Sequence, residues 1–448
     1  MTTVSVKKKA IRGAAWTIIG YGTNQILRFG SNLILTRLLM PEYFGLMAIV
    51  NTLLMGIELF SDVGIGQSII QNKHGEETEF LNTAWTLQIY RGFLVWLLCL
   101  AITFPAASIY KEPRLLWLLP IMGFTSIILG FASTAPALLN RKMNLGKLTI
   151  FDVIVQLLSL IILVSLAFYF RNIYALVIGG LVGACIRAIG SHFLLPEKPN
   201  RFAWNRASLN EMVSFGRWIF IATALMFVAE QADRLILGKL FTLKMLGVYS
   251  IAATLANMPR EVIKHLSYRV IFPTISHQVE LPRATLRAKI IRQRGLILIG
   301  FALGLAGLVS IGDLLIARLY DQRYVEAIWM MPILCSGIWF SVLFYTTSPA
   351  LLAVGKPLYS AQSNFVRFIS ISVGLPIAFY YEGSLGAIIA IAFSDFPLYL
   401  ANLYGLWREK LLCIVQDIQG TALFIGTLIL FMLIRHSLGL GNPFPIFL

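Results

Sequence analysis

The chain has 448 residues, of which 58% are hydrophobic and only 13% charged, with a mean hydropathy of +0.77. That excludes a string of soluble domains, which carry about twice as much charge, and describes one polytopic membrane body. A net charge of +16 does not point to nucleic acid, because Lys and Arg are spread over many short loops rather than gathered in one stripe.

The first predicted element opens with Lys7, Lys8, Lys9 and Arg12, which lead directly into an apolar run at about 14–36. This is the pattern of an uncleaved signal anchor. Further apolar runs follow at about 44–69, 83–107, 115–139, 150–170, 173–195, 213–240, 246–275, 295–318, 327–353, 360–380, 384–406 and 418–436. Each is near the length of about 20 residues that a bilayer requires. The expected fold is therefore all-α, with about 13 transmembrane helices in a range of about 12–14. Residues 437–448 are too few to span.

With the N-terminus in the cytoplasm, the inner ends carry about twice as many Lys and Arg as the outer ends. Arg294 counts among the inner loop residues and Arg435 among the outer ones. The four cysteines, Cys99, Cys185, Cys335 and Cys413, sit singly in or beside apolar segments, so neither a metal site nor a disulfide framework is expected.

The chain repeats itself. Trp218 lies 202 positions after Trp16, and the same offset aligns Arg37 with Lys239, Leu38 with Leu240 and Gly45 with Gly247. Thr134 to Leu139 returns as Thr347 to Leu352, with Pro136 matching Pro349. Six predicted spans separate the two tryptophans, so both copies enter the membrane in the same direction. This is a parallel repeat, and it predicts two six-helix bundles around a central cleft. The lobes are expected at 1–198 and 199–411, joined by the polar stretch from Pro196 to Glu211, with an additional helix and tail at 412–448. Pro136, Pro349 and Pro259 are each readable as a hinge or as a kink satisfied by neighbouring groups.

A charge at mid-bilayer costs about 2.5–3.5 kcal/mol on insertion scales, so each one needs a reason. The 202 offset maps Arg28 to Glu230, Glu58 to Arg260 and Asp62 to Lys264, all with inverted sign. Glu58 and Asp62 share a helix face, as do Arg260 and Lys264. Pairing of the two acids with the two bases across the cleft, as a gate, is expected; the alternative is that these charges pair within their own lobes or face water near helix ends. Arg28, Arg91, Arg234, Arg260 and Lys264 could hold an anionic headgroup, since guanidinium matches phosphate oxygens. Glu58, Asp62, Glu230 and Asp233 are the candidates for gating or for coupling to a proton or sodium gradient. Asp152, Arg187, Asp313, Arg367 and Asp395 are weaker candidates near helix ends. A wet, partly cationic cavity beside lipid suits a pyrophosphate-linked sugar whose acyl tail stays in the bilayer.

Several motifs are familiar: Pro41-Glu42-Tyr43-Phe44-Gly45-Leu46, Ser61-Asp62-Val63-Gly64-Ile65 with Ser68-Ile69-Ile70-Gln71, Phe215-Gly216-x-Trp218, Asp233 to Lys239, Gly247-Val248-Tyr249-Ser250 and Phe272-Pro273. From about Lys9 to Arg408 the chain resembles the polysaccharide exporters of the multidrug/oligosaccharidyl-lipid/polysaccharide (MOP) flippase superfamily, most closely the Wzx-type, colanic-acid-exporter-like group. The resemblance implies alternating access and the flipping of an undecaprenyl-pyrophosphate-linked oligosaccharide across a bacterial inner membrane. The implied partners are that lipid-linked substrate, membrane lipids, and a polysaccharide polymerase and glycosyltransferases.

Two other readings compete, beside a third in which the protein is a non-transporting partner in a biosynthetic complex. One is an ion-coupled drug or metabolite antiporter of the same superfamily. The other is an integral-membrane polymerase or ligase. The second is disfavoured because outer loops are short, histidines are scattered, and no HExxH, GxSxG or Gly-rich phosphate loop occurs.

Overall fold

The computed structural model describes residues 3–62, 64–197 and 199–444, and within them the side chains at 3–15, 17–18, 213–226 and 228–229 lie outside the description. Lys7, Lys8, Lys9, Arg12, Val63, Lys198, Phe215, Gly216 and the Trp218 end of the repeat therefore fall outside the described residues. What is described is helical throughout. The helices are α1 (Thr3–Leu38), α2 (Pro41–Phe60), α3 (Ile65–Gln71), α4 (Thr78–Tyr110), α5 (Leu115–Gly130), α6 (Ala135–Arg141), α7 (Leu145–Phe170), α8 (Ile173–His192) and α9 (Arg206–Leu240). They continue with α10 (Leu243–Ala256), α11 (Met258–Leu266), a π-helical turn (Ser267–Ile271), α12 (Phe272–Ser276), α13 (Arg283–Leu319), α14 (Ala327–Ala353), α15 (Pro357–Ala392), α16 (Asp395–Arg408) and α17 (Ile414–Ser437).

Among the described residues, eight helices are long and apolar enough to cross a membrane, or nine if the bent pair α5–α6 is one span. The expected thirteen is not reached by this measure. The segments 14–36 and 213–240 lie on α1 and α9, where many side chains are outside the description. The segment 246–275 is divided among α10, α11, the π turn and α12. The segments 360–380 and 384–406 run together through α15 and α16, with a kink at Gly383. Large apolar side chains such as Phe104, Leu296 and Leu433 lie exposed, which is the expected outer surface of a protein solvated by lipid.

The chain divides into two compact units. The first is 1–43 with 49–227, and the second is 44–48 with 228–448. The division falls inside α9, not at the polar stretch ending at Glu211. Hydrogen bonding explains why that stretch stays with the first unit. The backbone N–H groups of Arg201, Ala203 and Asn205 donate to Asn82, Thr86 and Thr83 of α4 at 2.9, 3.1 and 3.2 Å. A buried backbone donor needs a partner, and α4 supplies three.

Within the first unit α4 packs on α5, α7 on α1 and α8, and α3 on α6. Within the second, α14 is central and most of its surface is buried by α13, α15, α16 and α10. Residues 44–48 of α2 are grouped with this second unit. A Cβ on Gly45 would stand 2.0 Å from the Leu243 carbonyl oxygen, so only glycine permits that approach. The extra helix α17 is integral to the second unit, because two buried ion pairs tie it to α13. Arg294 donates to Asp417 at 2.6 Å, and Arg435 to Asp313 at 2.6 Å. Both arginines were expected in loops, yet they are 1% and 5% exposed. Each sits near an end of an apolar segment, where charge density alone reads as loop.

The repeated prolines behave differently in the two units. Pro136 follows a break, and α5 and α6 meet at 58°. Pro349 lies inside the continuous α14. A proline leaves the carbonyl four residues back without its helical partner. For Pro136 that carbonyl is Ala132, which accepts from Gln88 at 3.0 Å. For Pro349 it is Tyr345, which accepts from the Ser267 hydroxyl at 2.7 Å. Neighbours thus satisfy both, and Pro259 opens α11 just after the break at Asn257.

Candidate functional site

In the first unit the polar site is built at two helix breaks. α2 stops at Phe60 and α3 starts at Ile65, with Gly64 between them at φ +65°, a left-handed conformation that favours glycine. The Asp62 carboxylate accepts from the Gly64 N–H at 2.9 Å and so closes this turn. A helix end leaves carbonyls without intrahelical donors. Arg91 of α4 supplies them, donating to the Glu58 and Ser61 carbonyls at 2.7 and 3.1 Å. One turn earlier, Gln88 donates to the carbonyls of Leu129 and Gly130, both at 3.1 Å, as well as to Ala132. The same face of α4 therefore finishes the ends of α2 and α5.

The space left at the breaks is a cavity of about 420 Å³ whose polar lining includes Glu58, Asp62, Gln88, Arg91 and Ser126. The Glu58 carboxylate accepts from the Ser126 hydroxyl at 2.9 Å. Glu58, Asp62 and Arg91, all expected site residues, thus lie around one cavity. Gln88 and Ser126 are uncharged, so the pattern of charges in the sequence does not single them out. Arg28 is exposed on α1, apart from this group.

In the second unit the charges neutralise one another. Arg260 of α11 donates to Asp395 at 2.5 Å and to the Ser341 hydroxyl at 3.0 Å. Ser341 in turn donates to Asp395. Arg367 stands 2.8 Å from the other oxygen of the same carboxylate. Lys264 pairs with Glu230 at 2.5 Å. Tyr249 donates to Asp233 at 2.5 Å, and Arg234 to Gln231 at 3.2 Å. Arg260 and Lys264, expected as site residues, thus both find carboxylates inside their own unit. Asp152 and Arg187, expected as weaker candidates, form a half-exposed pair at 2.8 Å.

A fold of broken apolar helices with a polar pocket can now be compared with known proteins. The family model described as "Polysaccharide biosynthesis protein" matches residues 34–329. The chain belongs to this family. It is 22% identical over 440 residues to an uncharacterized membrane protein in the cps region of Klebsiella pneumoniae, covering 96% of this chain and 89% of that one. It is 24% identical over 279 residues to the succinoglycan biosynthesis transport protein ExoT of Rhizobium meliloti (strain 1021), covering 62% of this chain and 56% of ExoT. Its fold is similar to the lipid II flippase MurJ in an inward closed conformation, with a TM-score of 0.72, 12% identity, and 96% and 94% of the two chains covered. The resemblance carried by the motifs around Pro41, Ser61 and Asp233 thus leads to the right family. The fold and relatives are those of transporters, and the polymerase or ligase reading is set aside.

Proposed function

We propose that this protein moves an undecaprenyl-pyrophosphate-linked oligosaccharide from the inner to the outer leaflet of a bacterial inner membrane by alternating access, with its N-terminus cytoplasmic. The observation that carries this reading is the charged cavity at the breaks of α2 and α5, within a membrane chain of the polysaccharide biosynthesis family. Charge balance divides the work between the units. The first cavity holds two carboxylates and one arginine, and that arginine is engaged on backbone carbonyls. Such a site favours a coupling cation, so Glu58 and Asp62 take the proton or sodium ion. In the second unit Arg234, Arg260, Arg367 and Lys264 outnumber Glu230, Asp233 and Asp395. An incoming diphosphate would compete with those carboxylates for the guanidinium and ammonium groups, and Arg234, Arg260 and Lys264 bind it.

The test is translocation in proteoliposomes. A labelled undecaprenyl-pyrophosphate oligosaccharide is added to one leaflet, and loss of its accessibility is followed with and without a proton or sodium gradient. Protein-dependent movement is expected, faster with one of the gradients. No movement for several sugar lengths, together with gradient-driven movement of a small cationic dye, would replace this reading with the drug or metabolite antiporter.

A further inference from the structure

In the second unit α14 and α16 end beside each other with the same backbone motif and different residues in it. After α14 the Gly355 N–H donates to the Leu352 carbonyl at 3.1 Å and the Lys356 N–H to the Leu351 carbonyl at 2.9 Å, with Gly355 at φ +76°. After α16 the Lys410 N–H donates to the Trp407 carbonyl at 3.1 Å and the Leu411 N–H to the Leu406 carbonyl at 2.8 Å, with Lys410 at φ +59°. Glycine takes this left-handed position without a clash, whereas a side chain is strained there. Leu351, Leu406 and Leu411 share one buried cluster, so the two motifs close on common ground. The chain thus holds a cation where glycine would end the helix with less strain.

Lys410 belongs to a basic rim with an aromatic footing. Lys356, Arg408 and Lys410 are exposed, and none of them makes an ion pair among the described residues. Glu409, the acid in the turn, faces Arg283 at 3.6 Å. Tyr359 of α15 and Tyr404 of α16 have ring centroids 6.2 Å apart, and Trp407 stands 6.2 Å from Tyr404. A Cβ on Gly405 would lie 2.8 Å from the Tyr359 side chain, so the two helices approach closely here. Tyr404 and Trp407 are 52% and 60% exposed, and neither the phenol nor the indole N–H has a hydrogen-bond partner among the described residues. The same face of α16 continues inward with exposed Leu400 and Phe396. Along α15 the exposed Tyr380 lies 21 residues after Tyr359, roughly 30 Å at about 1.5 Å per residue, which matches a hydrocarbon core. Tyr359, Tyr404 and Trp407 therefore stand at headgroup level, where amphipathic rings gather.

We infer that the turn after α16, together with the start of α15, holds the headgroup of an anionic phospholipid of the bilayer. Lys356, Arg408 and Lys410 supply the charge. The Tyr404 hydroxyl and the Trp407 N–H donate to phosphate or ester oxygens, and the acyl chains lie along Leu400 and Phe396. Retention of positive charge on one face of a membrane asks for no particular backbone. It does not account for a lysine in a left-handed position beside two aromatic donors, when glycine fills the matching place after α14. The site goes beyond the transport reading and does not depend on it.

The test is native mass spectrometry of the full chain in detergent, titrated with phosphatidylglycerol or with phosphatidylcholine of the same acyl chains. Phosphatidylglycerol is expected to bind at least about 5-fold more tightly. Lys410→Gly removes the charge while relieving the backbone, so the variant should fold at least as well as the unmodified protein. It should weaken phosphatidylglycerol binding at least about 3-fold and leave phosphatidylcholine binding unchanged, and Arg408→Gln should do the same. Lys289→Gln removes an equal charge from the exposed surface of α13 and should keep the preference within about 2-fold. Equal affinity for the two lipids, or full phosphatidylglycerol affinity in both Lys410→Gly and Arg408→Gln, overturns the site. So does a loss in Lys289→Gln as large as that in Lys410→Gly, because the rim is then diffuse charge. Displacement of bound phosphatidylglycerol by an equimolar amount of undecaprenyl pyrophosphate would give the rim to that lipid and overturn the phospholipid assignment.

Discussion

The two units solve one problem in opposite ways. Each places ionisable groups in an apolar helical body, at positions that the internal repeat relates with inverted sign. In the first unit the cation, Arg91, is spent on the carbonyls at the end of α2, and Glu58 and Asp62 are left lining a cavity. In the second unit the cations are spent on carboxylates. Asp395, 1% exposed, is held by Arg260 and stands against Arg367. Breaking a helix and breaking an ion pair have different consequences. The first leaves space with polar walls, and the second leaves a buried charge without compensation.

The sharpest way to break this comparison is to remove the shared carboxylate. Asp395→Ala strands two guanidinium groups, and we expect a loss of about 3–5 kcal/mol of stability. A thermal melt in detergent, with purified protein, measures it. The triple replacement Asp395→Leu, Arg260→Met, Arg367→Met should recover most of that loss, because no member of this network is then left charged and unpaired. If Asp395→Ala melts normally, the second unit is not held by this network.

Next in size is the capping face of α4. Gln88→Leu removes the donor for three carbonyls, and Arg91→Ala removes donors for two. Gln88→Leu should cost about 1–3 kcal/mol, the penalty of unsatisfied acceptors at Gly130 and Ala132, and Arg91→Ala less, because the Glu58 carbonyl keeps the Ser61 hydroxyl at 2.9 Å. Arg91→Lys should recover only part, since an ammonium lacks the planar fork that reaches both carbonyls. Full stability in Gln88→Leu would mean that water reaches the breaks and that the cavity is wet enough to replace the cap.

Glu58→Gln is the converse case. An amide oxygen still accepts from Ser126, so we expect a stability change below about 1 kcal/mol. Translocation should nonetheless fall at least about 10-fold, because the neutral group cannot carry a proton or hold a cation. Gradient-driven transport, compared with downhill exchange of labelled substrate, separates these roles. Retained gradient coupling in Glu58→Gln would move the ion site elsewhere.

Much of this arrangement was legible in the chain, for identifiable reasons. Long apolar runs fix helices, and the offset between Trp16 and Trp218 locates the paired charges. What the offset does not supply is the partner. Asp395 and Arg367 come from α16 and α15, distant in the chain from Arg260, and only packing brings them together. The capping residues were invisible for another reason. Gln88 and Ser126 are uncharged, and their importance lies in backbone carbonyls that become unsatisfied only once α2 and α5 break. The seating of residues 199–205 on α4 was likewise hidden, because backbone N–H groups make the bonds.

The weakest expected effect sharpens the comparison at its solvent-exposed end. The first unit also carries a charge pair, His74 with Glu77 at 2.7 Å, but water surrounds it. The hydrogen bond that the His74 ring donates to the Glu77 carboxylate, followed by that carboxylate's charge, raises the His74 pKa above its ordinary 6.5, with a smaller contribution from Glu211. The sign follows from linkage: the stabilisation is fully present below the unfolded pKa and is lost as pH rises through the higher folded value. The loop that benefits holds the Gly75 N–H on the Asn72 carbonyl at 3.2 Å and the Glu77 N–H on the His74 carbonyl at 2.9 Å. Hydrogen exchange at these two amides, corrected for intrinsic rates, should therefore accelerate as His74 deprotonates. Glu77→Gln should remove that step. Because Asn72 also donates to Glu211, a step that spread to the amides of Glu211 and Met212 would show that solvent pH reaches the start of α9 through this loop. A step confined to 74–77 would show that the loop titrates without moving α9.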